Sequence, residues 1–223
     1  SEVTVQVHAQ EFLEKKFRKK ARRGKIFSQL EVRTKKKYGG KRADGLLAFK
    51  HWLSGTYVVS MEAKSHKTLP AIVPKREVKL VVWNSFRAGL LISILTGAFF
   101  AFFKLSDGLM QFLLPLNILG VGALAYGFIT RNHFSHKTVK VVKQIGQYPA
   151  NEQWLAFSQD SLNSITQKKI EQLKTICQYR GIGILIVRPR GKVEVFVNAK
   201  KKSKWWRDYL KYYSVEKEIK KVI

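Results

Sequence analysis

Two uncharged apolar stretches limit what this chain can fold into. Residues 88–103 carry no charge, and neither do residues 109–130. Only Lys104-Leu105-Ser106-Asp107-Gly108 separates them. The second has the length of a membrane-spanning helix, roughly 20 residues. The first reaches that length by extending back through Val81, Val82 and Trp83, with Arg87 snorkelling towards the interface. Gly89, Gly97, Gly120, Gly122 and Gly127 suit close helix contact in lipid. The plain alternative is a buried hairpin in a soluble bundle. A chain of 223 residues is small for the core that would have to cover it. A transmembrane hairpin over residues 75–140, with spans at about 81–103 and 109–130, is therefore expected.

The flanks set the orientation. Lys75, Arg76, Lys79 and Arg87 precede the hairpin tip, and Arg131, Lys137 and Lys140 follow it. The tip itself holds only Lys104 and Asp107. Lys/Arg excess marks the cytoplasmic side. The expectation is a multi-pass protein of the inner (plasma) membrane with both termini in the cytoplasm. The first 25 residues are polar and basic, so no signal peptide is expected there. The two flanks can then meet in one domain. They are residues 1–74 and 141–199, followed by a basic aromatic tail at 200–223.

The net charge is +27, a field that attracts nucleic acid or an anionic membrane surface. The single Cys177 rules out an internal disulfide and a Cys-rich zinc site. The five histidines are scattered without His-x3-His or His-Glu-x2-His spacing, which argues against zinc catalysis.

Periodicity supplies the remaining elements. Residues 8–23 predict a helix, with Phe12, Leu13, Phe17 and Ala21 at near-helical spacing, stopped by Gly24. Residues 26–38 read as a long strand and Gly39-Gly40 as a hairpin turn. Residues 42–49 and 56–64 read as the second and third strands. Residues 152–157 are ambiguous. Residues 164–179 predict a helix lined by Ile165, Ile170, Leu173, Ile176 and Cys177. Residues 184–187 read as a buried central strand, and residues 193–197 as one more.

Three residues stand out for chemistry. Asp44 lies on the second strand, and Glu62 and Lys64 share one face at the end of the third. Two carboxylates and an ammonium at the end of a paired sheet can hold a divalent metal and activate a water. The plain alternative is an exposed salt bridge on a strand edge, worth little energetically.

Around these residues the order is helix, three strands, apolar hairpin, helix, two strands. With Asp44 and Glu62-x-Lys64, the chain resembles the restriction-endonuclease-like superfamily, the P-D-(D/E)-x-K nucleases. The resemblance covers residues 7–64 and 161–199. It implies an α/β fold: a mixed sheet flanked by helices, interrupted here by a transmembrane α-hairpin. It also implies Mg2+ or Mn2+ on Asp44 and Glu62, with Lys64 orienting the water or stabilising developing charge. Glu11 is the matching extra acid on the first helix, with Glu14 and Glu31 as alternatives. Ala43 stands where the motif has proline. Gln144-x3-Tyr148 resembles the Gln-x3-Tyr element of some recombination nucleases, but Gly146 and Pro149 argue against its usual helix.

Residues 15–41 form a dense basic run with Glu31 as the one acid. Lys19, Lys20, Arg22, Arg23, Lys35, Lys36, Lys37 and Lys41 are candidate phosphate-backbone contacts on DNA. A patch on anionic lipid headgroups is the competing reading. The tail around Lys200-Lys201-Lys202-Ser203-Lys204-Trp205-Trp206 reads first as a membrane-interface segment. A single-strand stacking platform, or a helix packed on the domain through Trp206, Leu210 and Tyr213, are the alternatives. His66, two residues past Lys64, could touch a bound phosphate.

Two functions follow. One is a membrane-anchored, metal-dependent endonuclease acting on DNA, by analogy in defence against foreign DNA. The other is an inactive membrane adaptor whose basic face holds nucleic acid, anionic lipid or a partner subunit. A homo-oligomer is compatible with either.

Overall fold

The computed structural model describes residues 1–51, 55–65, 69–103, 109–131, 133, 136–202 and 208–223. The expectations for His66, Lys104, Asp107, Lys204, Trp205 and Trp206, and for the Arg23 side chain, lie outside the described residues. The chain divides into two compact units. One joins Ser1–Pro74 to Val139–Ile223, and the other is Lys75–Thr138.

The first unit is α/β. Its elements in chain order are α1 (Glu2–Arg18), β1 (Phe27–Arg33), β2 (Arg42–His51), β3 (Gly55–Lys64) and α2 (Leu69–Ile72). The second unit then interrupts with β4 (Lys75–Arg76), α3 (Val78–Phe103), α4 (Leu109–Thr130) and β5 (Lys137–Thr138). The first unit resumes with α5 (Lys140–Ile145), β6 (Glu152–Ser158), α6 (Gln159–Asn163), α7 (Gln167–Arg180), β7 (Gly183–Val187), β8 (Val193–Val197) and α8 (Glu216–Val222).

Six strands form one mixed sheet in the order β1-β2-β3-β6-β7-β8. β1, β2 and β3 are an antiparallel meander. β6 lies parallel to β3, β7 parallel to β6, and β8 antiparallel to β7. The β3–β6 ladder is the seam that joins the two halves of the sequence. The stretch at 152–157, ambiguous by pattern, is a strand here because it is buried on both faces. Trp154 and Ala156 join one core, and Leu155 and Phe157 the other.

α1 covers one face. Val5, Ala9, Leu13 and Phe17 recur every four residues, so they share one helical stripe. That stripe packs on Leu47, Phe49, Val59, Met61 and Trp154. The helix starts six residues earlier than its pattern suggests, with the Ser1 hydroxyl accepting the Thr4 N–H as an N-cap. It also ends earlier, and residues 22–24 form a separate 3-10 turn. α5 and α7 cover the other face through Val141, Val142, Ile145, Leu173, Ile176 and Cys177. The first strand is shorter than expected, since Lys36–Tyr38 turn as a 3-10 helix closed by Gly39 at φ 98°.

Of the basic aromatic tail, residues 200–202 and 208–223 are described, and the later part packs on the first unit through Leu210 and Tyr213, two residues of the packed alternative. Leu210, Tyr213 and Ile219 are fully buried against Val32, Leu46, Ala48 and Val58. The Tyr213 hydroxyl donates to the Pro149 carbonyl at 2.9 Å. These apolar groups, spaced among lysines, are core residues of the first unit.

The second unit is a helical hairpin. Its helices have 26 and 22 residues, about 39 and 33 Å at 1.5 Å per residue, against a bilayer core of about 30 Å. Both are long and apolar enough to cross a membrane. They meet through a stripe of small residues, Ser85, Gly89, Ser93 and Gly97. A Cβ on Gly89 would fall 2.5 Å from the Leu119 carbonyl oxygen, so only glycine permits this approach. The Ser93 hydroxyl donates to the Pro115 carbonyl at 2.8 Å. Trp83, Leu95, Phe102, Leu124 and Ile129 point outward and are exposed. A hairpin buried inside a soluble bundle would have them covered. At its base, β4 and β5 pair.

Candidate active site

β2 and β3 pair from His51↔Gly55 to Gly45↔Met61. Beyond that pair a side chain replaces the backbone ladder, because Asp44 Oδ2 accepts the Ala63 N–H at 2.8 Å. Asp44 is thereby fixed beside the end of β3, where Glu62 and Lys64 project from one face. Gly45 follows because Gln10 and Met61 fill the space a Cβ would need. Across from Asp44, Glu31 adopts φ 57°, a left-handed conformation that costs about 1 kcal/mol or more in a non-glycine residue.

Glu62 is fully buried. Its Oε1 accepts from Lys64 Nζ at 2.7 Å and from Gln144 Nε2 of α5. Its Oε2 is buried without a partner among the described residues. Burial, and then the charge of Asp44, push the Glu62 carboxyl up to about 7, although Lys64 pulls the other way.

Lys64 Nζ also lies 3.1 Å from Glu2 Oε1 and 3.8 Å from Asp44 Oδ2. Burial acts to lower its pKa, but the hydrogen bond and charge of Glu62, then Asp44 and Glu2, outweigh it and raise it. Lys64 is thus an ammonium at neutral pH. It can donate hydrogen bonds and stabilise negative charge, but it cannot take a proton. With every group ionised, three carboxylates and one ammonium leave the cluster at −2.

The surroundings hold these groups in place. The Tyr148 hydroxyl donates to the Arg42 carbonyl at 2.6 Å. Burial, then the Glu62 charge, push its phenol up to about 12, so it stays protonated. Gln153 Nε2 donates to the Ile145 and Tyr148 carbonyls at 2.7 and 2.8 Å, which pins the end of α5.

The donor set fits a hard divalent cation. It is all oxygen, net negative, and contains one buried oxygen with no partner. Mg2+ is commonly held by one or two carboxylates and several waters. Among the described residues no group of three or more His, Cys, Asp or Glu side chains gathers at metal-binding geometry. A cation here would keep open positions for water.

The structure brings Asp44, Glu62 and Lys64 together and leaves Glu11 out. Glu11 is exposed on α1, 3.8 Å from His8. The acid of α1 that reaches the cluster is Glu2. The recurrence Val5-Ala9-Leu13-Phe17, read backwards, was the signal that the helix begins early enough to carry it. Gln144 and Tyr148 do not share a helix, since α5 ends at Ile145, yet both adjoin Glu62.

The basic candidates divide in two. Lys19, Lys20 and Arg22 lie at the Phe27↔Ala48 end of the β1–β2 ladder, where Ala21 bridges His51. Lys36, Lys37 and Lys41 lie exposed at the Arg33↔Arg42 end, which is the end nearer Asp44. Lys35 is half-buried and tied to Glu216 at 2.5 Å.

Comparison of the chain with protein-family models, with curated proteins and with solved structures finds no match.

Proposed function

We propose that the protein is a membrane-anchored, metal-dependent endonuclease of the P-D-(D/E)-x-K type, hydrolysing DNA phosphodiester bonds. The observation that carries this reading is the buried Glu62 Oε2, without a partner among the described residues and beside Asp44, with Lys64 held as an ammonium at the same point. Asp44 and Glu62 would hold Mg2+ or Mn2+. The ion, when bound, polarises a phosphoryl oxygen and lowers the pKa of water. Lys64 places positive charge where negative charge develops on phosphorus. Gln144 fixes the Glu62 carboxylate, and Glu2 holds Lys64 from the α1 side. The exposed lysines contact the phosphate backbone without reading bases. The strand order of the sheet and the position of Asp44 and Glu62-x-Lys64 on β2 and β3 support the resemblance to this superfamily. The apolar hairpin would cross the inner (plasma) membrane twice. Degradation of foreign DNA at its point of entry is an analogy that fits this tethering.

The test is a nicking assay with and without Mg2+ or Mn2+, paired with a gel shift on the same preparations. Asp44→Ala is expected to abolish cleavage while DNA binding stays within about twofold, since affinity comes from many lysines.

A second reading, an inactive adaptor, draws on the same cluster. Lys64 is already neutralised by three carboxylates, which a purely structural ion-pair knot would also show. Cleavage absent under every divalent cation, with DNA or lipid binding intact, would favour the adaptor.

A further inference from the structure

The second unit carries a groove that the nuclease reading does not use. It is an open cavity of about 590 Å³ between α3 and α4, at their polar-flanked end. Val81, Val82, Phe86, Ala123, Leu124 and Phe128 make its walls apolar. Arg76 of β4 and Arg131, just after α4, also line it. The Ser85 hydroxyl lines it, nine-tenths buried and without a hydrogen-bond partner among the described residues. Opposite Ser85 is Gly127, where a Cβ would fall 2.8 Å from Ser85 Oγ, so the absence of a side chain keeps the floor open.

We propose that this groove is a binding site for one anionic phospholipid. The acyl chain would lie along the apolar walls and the phosphate would bridge Arg76 and Arg131. The inference rests on the reading of α3 and α4 as membrane spans. Charge selects the occupant. Segment 75–138 has seven Lys and Arg against Glu77 and Asp107. Neither groove arginine has a carboxylate within ion-pair distance among the described residues, and Arg131 instead stacks over Phe128 at 4.6 Å. An open apolar groove lined by two guanidinium groups that have no carboxylate partner among the described residues matches an amphiphile with a hydrocarbon tail and an anionic head. Arginine binds phosphate in a bidentate fork. A zwitterionic lipid would offer the same tail but a neutral head, and free phosphate would leave the walls facing solvent.

The experiment uses the full chain extracted from membranes into a mild non-ionic detergent. Native mass spectrometry counts lipid adducts on titration with phosphatidylglycerol, or with phosphatidylcholine of the same acyl chains. One phosphatidylglycerol per chain is expected, preferred by about tenfold or more, as two membrane-facing cations imply. Arg76→Ala with Arg131→Ala should reduce that preference to near unity. Val82→Trp, which adds bulk at an exposed wall position, should remove the first adduct for both lipids. Arg87→Ala is the control, because Arg87 lies over Trp83, outside the groove. Equal binding of the two lipids, or equal loss in the Arg87→Ala control, overturns the site. Chain recovered in the aqueous fraction after alkaline extraction overturns the membrane reading itself. A membrane-integrated chain with no preferred first adduct overturns the groove alone.

Discussion

Lys64 Nζ lies 2.7 Å from Glu62 Oε1, two residues away on the same strand face, and the other oxygen of that carboxylate is buried with no partner among the described residues. This half-satisfied carboxylate sets the pH behaviour of the site. Glu62 titrates near 4.5 when unperturbed and near 7 in the fold. Between those values the folded state keeps a proton that the unfolded state has released. The contribution of Glu62 to stability is therefore present below about 4.5 and lost as pH rises through about 7, by on the order of 3 kcal/mol. Denaturation without divalent cation, run from pH 4.5 to 8, is expected to show that decline. Glu62→Gln should flatten it. Mg2+ or Mn2+ should also restore stability at pH 8, and its affinity should fall about tenfold per pH unit below 7 as the proton competes. A wild-type curve superimposable on that of Glu62→Gln would contradict the assignment.

Gln144 orients the Glu62 carboxylate from a different element. Gln144→Ala is expected to weaken Mn2+ binding by about 10- to 100-fold, the usual cost of losing a group that fixes a ligand. Because Gln144 is only half-buried, the melting temperature should hardly change. Calorimetric titration with Mn2+ beside thermal denaturation separates the two effects. A large stability loss with unaltered Mn2+ affinity would make Gln144 a packing residue.

On the proposed function, the two basic clusters should make distinguishable contributions. Each neutralised phosphate should add about 0.9 to the slope of log affinity against log salt on duplex DNA. Lys36→Ala, Lys37→Ala and Lys41→Ala together, at the Asp44 end, should flatten that slope and lower cleavage at saturating DNA. Lys19→Ala, Lys20→Ala and Arg22→Ala, at the far end, should flatten the slope and leave saturated cleavage nearly unchanged. Salt titrations on unrelated duplexes of equal length provide the measurement. One duplex preferred more than a hundredfold would show base readout instead of a phosphate track.

The parallel β3–β6 ladder requires residues 55–64 and 152–158 to meet on one side of any bilayer. By the Lys/Arg excess of the flanks, that side is expected to be the cytoplasm. Reporter fusions at Ser1 and Ile223 are expected to read cytoplasmic, and one at Asp107 to read external. A split result from the two ends would be incompatible with the sheet.

The sequence was most legible where period-two alternation met turn residues, as in β2, β3 and β8, and where apolar length was extreme, as in α3 and α4. The mixed sheet was expected from the order of elements and the family resemblance, and the position of Glu62 and Lys64 on one face followed from strand geometry. The start of α1 was hidden because Val3, Thr4, Val5 and Val7 are β-branched and stiff at χ1, so they read as poor helix formers. Glu2 was lost with it. Leu210 and Tyr213 were legible only as an alternative packing face, because their surroundings are lysine-rich, and their burial against β1 and β2 decides their role. Gln144 was undervalued because Gly146 and Pro149 do end the helix. What matters is the turn before, and its partner lies 82 positions upstream.

That distance along the chain has a kinetic side. The residues first paired across the seam stand 93 positions apart, with both apolar helices between them. Closing so long a loop is slow, and strand pairing of this kind comes late in folding. Until β6 is synthesised, β3 is an open edge carrying Tyr57, Val58, Val59 and Met61, the sort of segment that pairs wrongly with other chains. Glu62 likewise waits for Gln144. The ordering of the nascent chain thus delays assembly of the cluster until the hairpin has been made, so a fragment released before that point would lack the group that orients its buried carboxylate.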